Sequence, residues 1–237
     1  MAKCADLLIQ MPDALRGRWL ESFPGFKQLH LELGCGKGRF TAETAALAPE
    51  TLFVAVELVP DAMIIALERV KAANLQNVRF IQGDAAMLRS MFAPGEAARI
   101  YINFCDPWPK SRDAKYRLTA PSFLRLYADA LILGGQIHFK TDNRPLFDWS
   151  SEQFESEGWA LSCLTHDLHQ NGPNGIMTDY EQKFYAEGIR INRLEATKTA
   201  ATRGTAVGEL PRLRNASLTD ARGYAQSKED NRKEAEE

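Results

Sequence analysis

Three groups of residues in this chain have the types and spacing to do chemistry. The first is Glu32-Leu33-Gly34-Cys35-Gly36-Lys37-Gly38. Glycines let a backbone turn sharply and approach a ligand with no β-carbon in the way. The second is a series of lone acids, Glu57, Asp84, Asp106 and Asp142, each set at or near the end of a short apolar run. A carboxylate at Glu57 is placed to accept ribose hydroxyl protons, and one at Asp84 to meet an adenine amino group. The third is Asn103-Phe104-Cys105-Asp106-Pro107-Trp108-Pro109-Lys110. Prolines stiffen such a loop, an aromatic ring stacks on a base, and a polar side chain holds the base edge. Just beyond it, Lys110, Arg112, Lys115, Arg117 and Arg125 concentrate positive charge in a chain whose net charge is −2. Such a run offers phosphate contacts that carry no sequence information. Taken singly, each acid also has a plainer reading as a helix cap or a solvated turn, and the basic run reads equally as a solvated face.

The elements that must position these groups alternate. Apolar runs at 29–33, 52–56, 78–81, 99–104, 136–140, 159–165 and 189–194 predict seven strands. Helical spacing covers 39–48, 60–73, a segment from Thr119 closed by Gly134-Gly135, 146–157 and 178–187. Pro60 suits a first helical position, where its missing N–H costs nothing. This order predicts an α/β fold of Rossmann-like kind, a mainly parallel seven-stranded sheet with helices on both faces. Ligands of such sheets bind at the carboxyl ends of the strands. Glu57, Asp84 and Asp106 follow strand ends, with Asp142 just past its strand and Glu32 inside the first. The charges that interrupt apolar sequence therefore converge on one edge.

The kind of ligand follows from the glycines. A pyrophosphate seat uses G-x-G-x-x-G, whereas this chain has G-x-G-x-G with an acid two residues ahead. That pattern suits the cationic methionyl portion of S-adenosylmethionine better than a diphosphate, and it counts against an NAD(P)-binding oxidoreductase. A methyltransferase with another acceptor is a closer rival, but enzymes acting on adenine usually carry N/D-P-P-aromatic where this chain has Asp-Pro-Trp-Pro. A catalytically silent RNA binder on the same scaffold is a third reading.

Composition bounds the rest. At 237 residues and 45% hydrophobic, the chain forms one core-bearing domain with residues to spare. No apolar run reaches bilayer length, and the N-terminus lacks the continuous apolar stretch of a secretory signal. Four cysteines far apart, with no CxxC pair, argue against a zinc ribbon or disulfide framework and fit a reducing cytosol. His166 and His169 are too few ligands for a metal site, so no metal is expected. We expect a cytoplasmic protein with an N-terminal arm at 1–28, a methyltransferase domain at 29–196 and a tail at 197–237. The tail has few large apolar residues to offset ordering entropy and reads as disordered or weakly helical.

Asp106-Pro107-Trp108-Pro109-Lys110, His138-Phe139-Lys140-Thr141-Asp142-Asn143 and Ile176-Met177-Thr178-Asp179-Tyr180-Glu181-Gln182-Lys183-Phe184 stand in an order and spacing that resembles the tRNA (guanine-N7)-methyltransferase family, in its Gram-positive bacterial form, over 17–196. The resemblance implies the class I methyltransferase fold and methylation of N7 of a guanine in the tRNA variable loop. It implies S-adenosylmethionine as cofactor and tRNA as partner, with no membrane, and a monomer or homodimer. Glu32, Gly34, Gly36, Gly38, Glu57, Asp84 and Asp106 are then cofactor-binding, and Asp106 is catalytic. Lys110, Asp142, Thr178, Asp179, Tyr180 and Glu181 are substrate-binding, and Arg112, Lys115 and Arg117 contact RNA phosphates. The family is usually more basic after the Asp-Pro-Trp motif and carries a histidine there, where this chain reads Ser111-Arg112-Asp113-Ala114-Lys115-Tyr116-Arg117.

Overall fold

Strands β1 (Gln28–Leu33), β2 (Thr51–Glu57), β3 (Val78–Gln82), β4 (Ala97–Asn103), β5 (Leu131–Thr141), β6 (Ala160–Thr165) and β7 (Asn192–Thr197) join in one sheet of order β3-β2-β1-β4-β5-β7-β6. Pairing is parallel from β3 across to β5, and β7 inserts antiparallel between β5 and β6. This is the Rossmann-like, mainly parallel seven-stranded arrangement expected. The computed structural model describes residue 4, residues 6–206 and residue 211. Among them no helix is long and apolar enough to cross a membrane.

The central strands β1 and β2 are buried on both sides, which is why they read as unbroken apolar runs, whereas the edge strand β6 is largely open to solvent. β2 is buried along its whole length. Alternate residues of each strand point to opposite faces. On one face Phe53, Ala55 and Phe80 pack against α2 (Arg39–Leu47) and α3 (Pro60–Ala72). On the other, Leu31, Val54 and Ile102 pack against α4 (Leu88–Met91), α5 (Pro121–Ala130) and α6 (Arg144–Ser156). A last helix, α7 (Asp179–Ala186), precedes β7.

The N-terminal arm is stitched to this body. Its one-turn helix α1 (Trp19–Ser22) buries Trp19 completely, with the indole N–H on the Met91 carbonyl at 2.9 Å. The Glu96 carboxylate accepts from the backbone N–H groups of Gly17, Trp19 and Ala93 at 2.9, 3.0 and 2.7 Å.

Among the boundaries that differ from expectation, three have a clear local reason. Helix α5 stops at Ala130, and Gly134-Gly135 lies inside β5, at the irregularity where pairing with β4 shifts register. A β-carbon at Gly135 would stand 2.9 Å from the Ile132 carbonyl oxygen, so the close fold-back needs glycine there. The last strand starts at Asn192 rather than 189, because Gly188 and Ile189 close α7. Their N–H groups bond Tyr185 O and Phe184 O, the pairing of a Schellman cap with glycine in the left-handed position. Finally, the domain continues past 196. Lys198 bonds the Leu131 carbonyl, Thr199 and Thr202 the Gly158 carbonyl, and the Arg203 N–H the Glu157 carbonyl. Hydrogen bonds, not apolar burial, hold this stretch. The remainder of the expected tail, apart from Pro211, lies outside the described residues.

Candidate active site

At the carboxyl ends of β1, β2 and β3 a cleft opens, lined by Gly34, Glu57, Gly83, Asp84 and Leu118 among others. The glycine turn forms its floor. Gly36 has φ +55°, a left-handed conformation, and a β-carbon on Gly34 or Gly36 would meet nothing within 4 Å. Space therefore lies above the turn. Gly38 plays a different part from the one expected. A β-carbon there would stand 2.5 Å from the Ala66 β-carbon, so this glycine lets the start of α2 pack against α3.

Glu57 ends β2 with its carboxylate turned back to the glycines. Oε2 accepts the Gly36 N–H at 2.7 Å, and Oε1 accepts those of Leu58 and Val59 at 2.9 Å each. A carboxylate offers about four acceptor sites. In this geometry one remains for a ribose hydroxyl, where sequence reasoning expects a grip on both. Asp84 does two jobs at once: it lines the cleft and caps the 3₁₀ turn Ala85–Met87, accepting the Ala86 N–H at 2.9 Å.

Glu32 lies beneath, 3% exposed. Its Oε2 accepts the Thr41 hydroxyl, and its Oε1 accepts the Asn103 amide at 3.1 Å. Burial pushes its pKa up to about 7, against the pull of those two hydrogen bonds and of the Lys140 ammonium. Two residues before the glycine turn, this buried carboxylate has two hydrogen-bond donors and no ion-pair partner among the described residues, and a cation placed beside it would draw it into the charged form.

The loop after β4 carries Asp106, which is half-buried. Phe104, buried, and Trp108 both have positive φ, +54° and +44°. Each costs about 1–2 kcal/mol in a non-glycine residue, and strain of this kind persists only where surroundings impose it. Part of that imposition comes from Arg117. Its guanidinium donates to the Pro107 and Trp108 carbonyls at 2.8 and 3.0 Å and stacks over the Trp149 ring at 4.4 Å. Sequence reasoning sends Arg117 to RNA phosphates, but its donors are turned inward onto the loop. Arg117→Ala is expected to lower kcat about 10- to 100-fold, since a loosened loop loses alignment, while leaving cofactor affinity unchanged. Arg117→Lys should restore little, having no planar fork to bridge two carbonyls. Steady-state kinetics with a separate cofactor titration decides it, and a cofactor Kd that rises in step with the loss in kcat would count against the clamp.

Lys110, Arg112 and Lys115 are exposed on and beside the 3₁₀ turn Ser111–Tyr116. Arg112 has only a loose partner in Asp113 at 3.7 Å, and the Lys115 ammonium stands 5.2 Å from the Tyr116 ring. Asp142 follows β5, half-buried. Beside it the Asn143 side chain caps α6 by accepting the Leu146 N–H at 2.8 Å.

The segment 178–181 begins α7, and the structure divides it. Thr178 is the N-cap, accepting the Glu181 N–H at 3.0 Å. Asp179 pairs with both terminal nitrogens of Arg69, at 2.8 and 3.3 Å, tying α7 to α3. Tyr180 is exposed and stacks on Phe184. Glu181 is fully buried, bonded to Lys140 at 2.5 Å and His169 at 3.0 Å. Asn103, Thr41, Lys140 and His169 are thus parts of the site that sequence reasoning does not assign. His166 and His169 serve separate partners, Asn192 and Glu181.

A family model described as "Putative methyltransferase" matches residues 27–194. The tRNA (guanine-N(7)-)-methyltransferase of Geobacillus thermodenitrificans (strain NG80-2) is 45% identical over 199 residues, covering 84% of this chain and 92% of the relative. That of Brevibacillus brevis is 42% identical over 191 residues, covering 80% and 89%. Among solved structures, an antibiotic-related methyltransferase aligns with TM-score 0.57 at 16% identity, over 77% of this chain and 92% of that one. The 16S rRNA methyltransferase KamB aligns with TM-score 0.57 at 17% identity, over 74% and 88%. The two structures share the fold.

Proposed function

The chain belongs to the family of tRNA (guanine-N(7)-)-methyltransferases, and from that premise we propose how its site is divided among cofactor, base and phosphates. Its reaction is methyl transfer from S-adenosylmethionine to N7 of a guanine in tRNA. We assign that guanine to the variable loop, and the reaction to the cytoplasm.

Glu32, Gly34, Gly36, Glu57 and Asp84 hold the cofactor. Glu32 serves its cationic methionyl end, Glu57 a ribose hydroxyl and Asp84 the adenine edge. The open space beside Gly34 and Gly36, with Glu57 bonded to Gly36 and Asp84 lining the same cleft as Gly34, supports this fit. When bound, S-adenosylmethionine supplies a methyl group activated by its sulfonium. Guanine N7 is an sp² lone pair, nucleophilic at neutral pH, so no residue takes a proton before attack. The chain's tasks are alignment of N7 and complementarity to the positive charge that builds on the purine. Asp106 performs both, accepting from guanine N1–H or the N2 amino group. The observation that carries this reading is the Asn103–Glu32 hydrogen bond. It ties the strand end that leads into Asp106 to the acid on the cofactor side.

Lys110, Arg112 and Lys115 hold flanking phosphates, while Asp142, Thr178 and Tyr180 border the substrate. Replacing the three basic residues by alanine is expected to flatten the dependence of log KM on log salt by about 2, at 0.7–0.9 per phosphate contact, with kcat at saturating tRNA retained. An unchanged slope in a salt series would remove these side chains from the RNA path.

Incubating the full chain with labelled S-adenosylmethionine and unmodified tRNA, then digesting to nucleosides for mass spectrometry, tests the assignment as a whole. The expected product is 7-methylguanosine, carried by the variable-loop fragment. Another methylated nucleoside overturns the acceptor, and label in another fragment overturns the position.

A further inference from the structure

Helix α7 buries a single side chain, and it is a carboxylate, Glu181. Its apolar contacts are partial, Phe184 resting against Phe104, Leu168 and Ile191, so the buried polar partners of Glu181 carry much of its placement. Besides the Thr178 N–H of its own capping box, which donates to Oε2 at 3.2 Å, Glu181 is held from two directions. From the sheet, the Lys140 ammonium on β5 donates to Glu181 Oε2 at 2.5 Å and to the Ile176 carbonyl at 2.9 Å. From the preceding loop, His169 Nε2 meets Glu181 Oε1 at 3.0 Å. The other imidazole nitrogen, Nδ1, accepts the Asn174 N–H at 3.1 Å. An acceptor at Nδ1 and a carboxylate at Nε2 fix a neutral ring with its proton on Nε2. Both His169 and Lys140 are buried, at 7% exposure each. The loop 170–175 between them and the helix is almost wholly exposed.

We propose that His169 and Lys140 are positioning residues for methyl transfer: they clamp Glu181 from two sides and so hold the loop 170–178 and Tyr180 in the register that receives tRNA. Glu181 is then the hub of this clamp and not itself a contact to the base. The inference rests on the reading of 178–181 as the edge of the substrate site. Lys140 also adjoins the cofactor side, since its charge acts on Glu32. His169 does not share that link, so its removal separates loop placement from cofactor binding.

The test uses the full-length enzyme with His169→Ala, His169→Gln and Lys140→Met. His169→Ala should raise KM for tRNA at least 10-fold with S-adenosylmethionine affinity within 2-fold of wild type. His169→Gln, whose amide N–H can still donate to Glu181, should recover most of that loss. Hydrogen exchange supplies a readout independent of turnover: the Asn174 amide should lose protection in His169→Ala while the strands keep theirs. Lys140→Met should lose protection over 174–181 and weaken both ligands. Wild-type protection at Asn174 in His169→Ala, or an unchanged KM for tRNA in an enzyme that still makes 7-methylguanosine, overturns the proposal. Absence of 7-methylguanosine from the wild-type enzyme overturns the functional reading instead, and the exchange data still judge the clamp.

Discussion

Replacement of Asp106 by alanine is expected to lower 7-methylguanosine formation about 10²- to 10³-fold at saturating tRNA and methyl donor, the range seen when one preorganised electrostatic partner of a transition state is removed. Nothing need deprotonate N7, so the loss measures alignment and charge together. Asp106→Asn separates them, because it keeps a hydrogen-bond acceptor and deletes the charge. We expect it to regain part of the alignment and remain at least about 10-fold impaired, since the carboxylate's complementarity to the cationic purine is gone. Single-turnover rates, read by nucleoside mass spectrometry, are the measurement. Near-normal turnover by Asp106→Asn would refute the electrostatic role, and a mild effect of Asp106→Ala would place the residue outside the site altogether. The loop that presents Asp106 holds two residues at positive φ, and Arg117 bonds two of its carbonyls. The backbone on either side of Asp106 is thus held in a strained shape by its surroundings.

The second large effect concerns Glu32. Glu32→Gln is expected to weaken S-adenosylmethionine binding by at least about 30-fold, some 2 kcal/mol, and at the same time to stabilise the cofactor-free protein above neutral pH. Burial raises the Glu32 pKa to about 7 from an ordinary carboxylate value of 4.5. Between those two values the folded protein holds a proton that the unfolded chain has released, so stability falls as pH rises through that window. The favourable contribution is complete below about 4.5 and lost above about 7. At pH 8 the charged, buried group costs up to about 3 kcal/mol, from some 2.5 pKa units at 1.36 kcal/mol each. Glutamine carries no such charge. Thermal unfolding at pH 5 and pH 8 should show the variant's advantage only at the higher value. The same linkage predicts that cofactor binding near pH 6.5 releases a proton, detectable by calorimetry in buffers of different ionisation enthalpy. A variant that binds the cofactor normally, or that is less stable than wild type at pH 8, would sink this account.

Much of this architecture is legible in the sequence because its signals are local. β2 reads as a strand because seven consecutive residues are buried. The acid at its end reads as functional because several lone carboxylates fall at strand ends in one order, which caps and turns taken one at a time do not explain. Arg117 is misread because its direction is set by Trp149, 32 positions on, and by carbonyls that no side-chain pattern reports. Glu181 is legible as part of a motif but not as a buried hub. Its partners Lys140 and His169 lie 41 and 12 residues away. The stretch 198–206 is misjudged for a related reason. Composition counts apolar surface, and this stretch is held by hydrogen bonds from small side chains and backbone to Gly158 and Glu157.

The three N–H groups gathered by the Glu96 carboxylate set an order of events during synthesis. Gly17 and Trp19 leave the ribosome 79 and 77 residues before the side chain that receives them, and Met91, the indole's acceptor, is almost as late. The Gly17–Trp19 part of the arm therefore cannot take its seat until the first three strands have emerged and the fourth is beginning. Its docking closes a long loop, the kind of contact that slows folding. Seating of the Trp19 indole against Phe92 makes that tryptophan a natural optical reporter of the moment when the chain has passed its third strand.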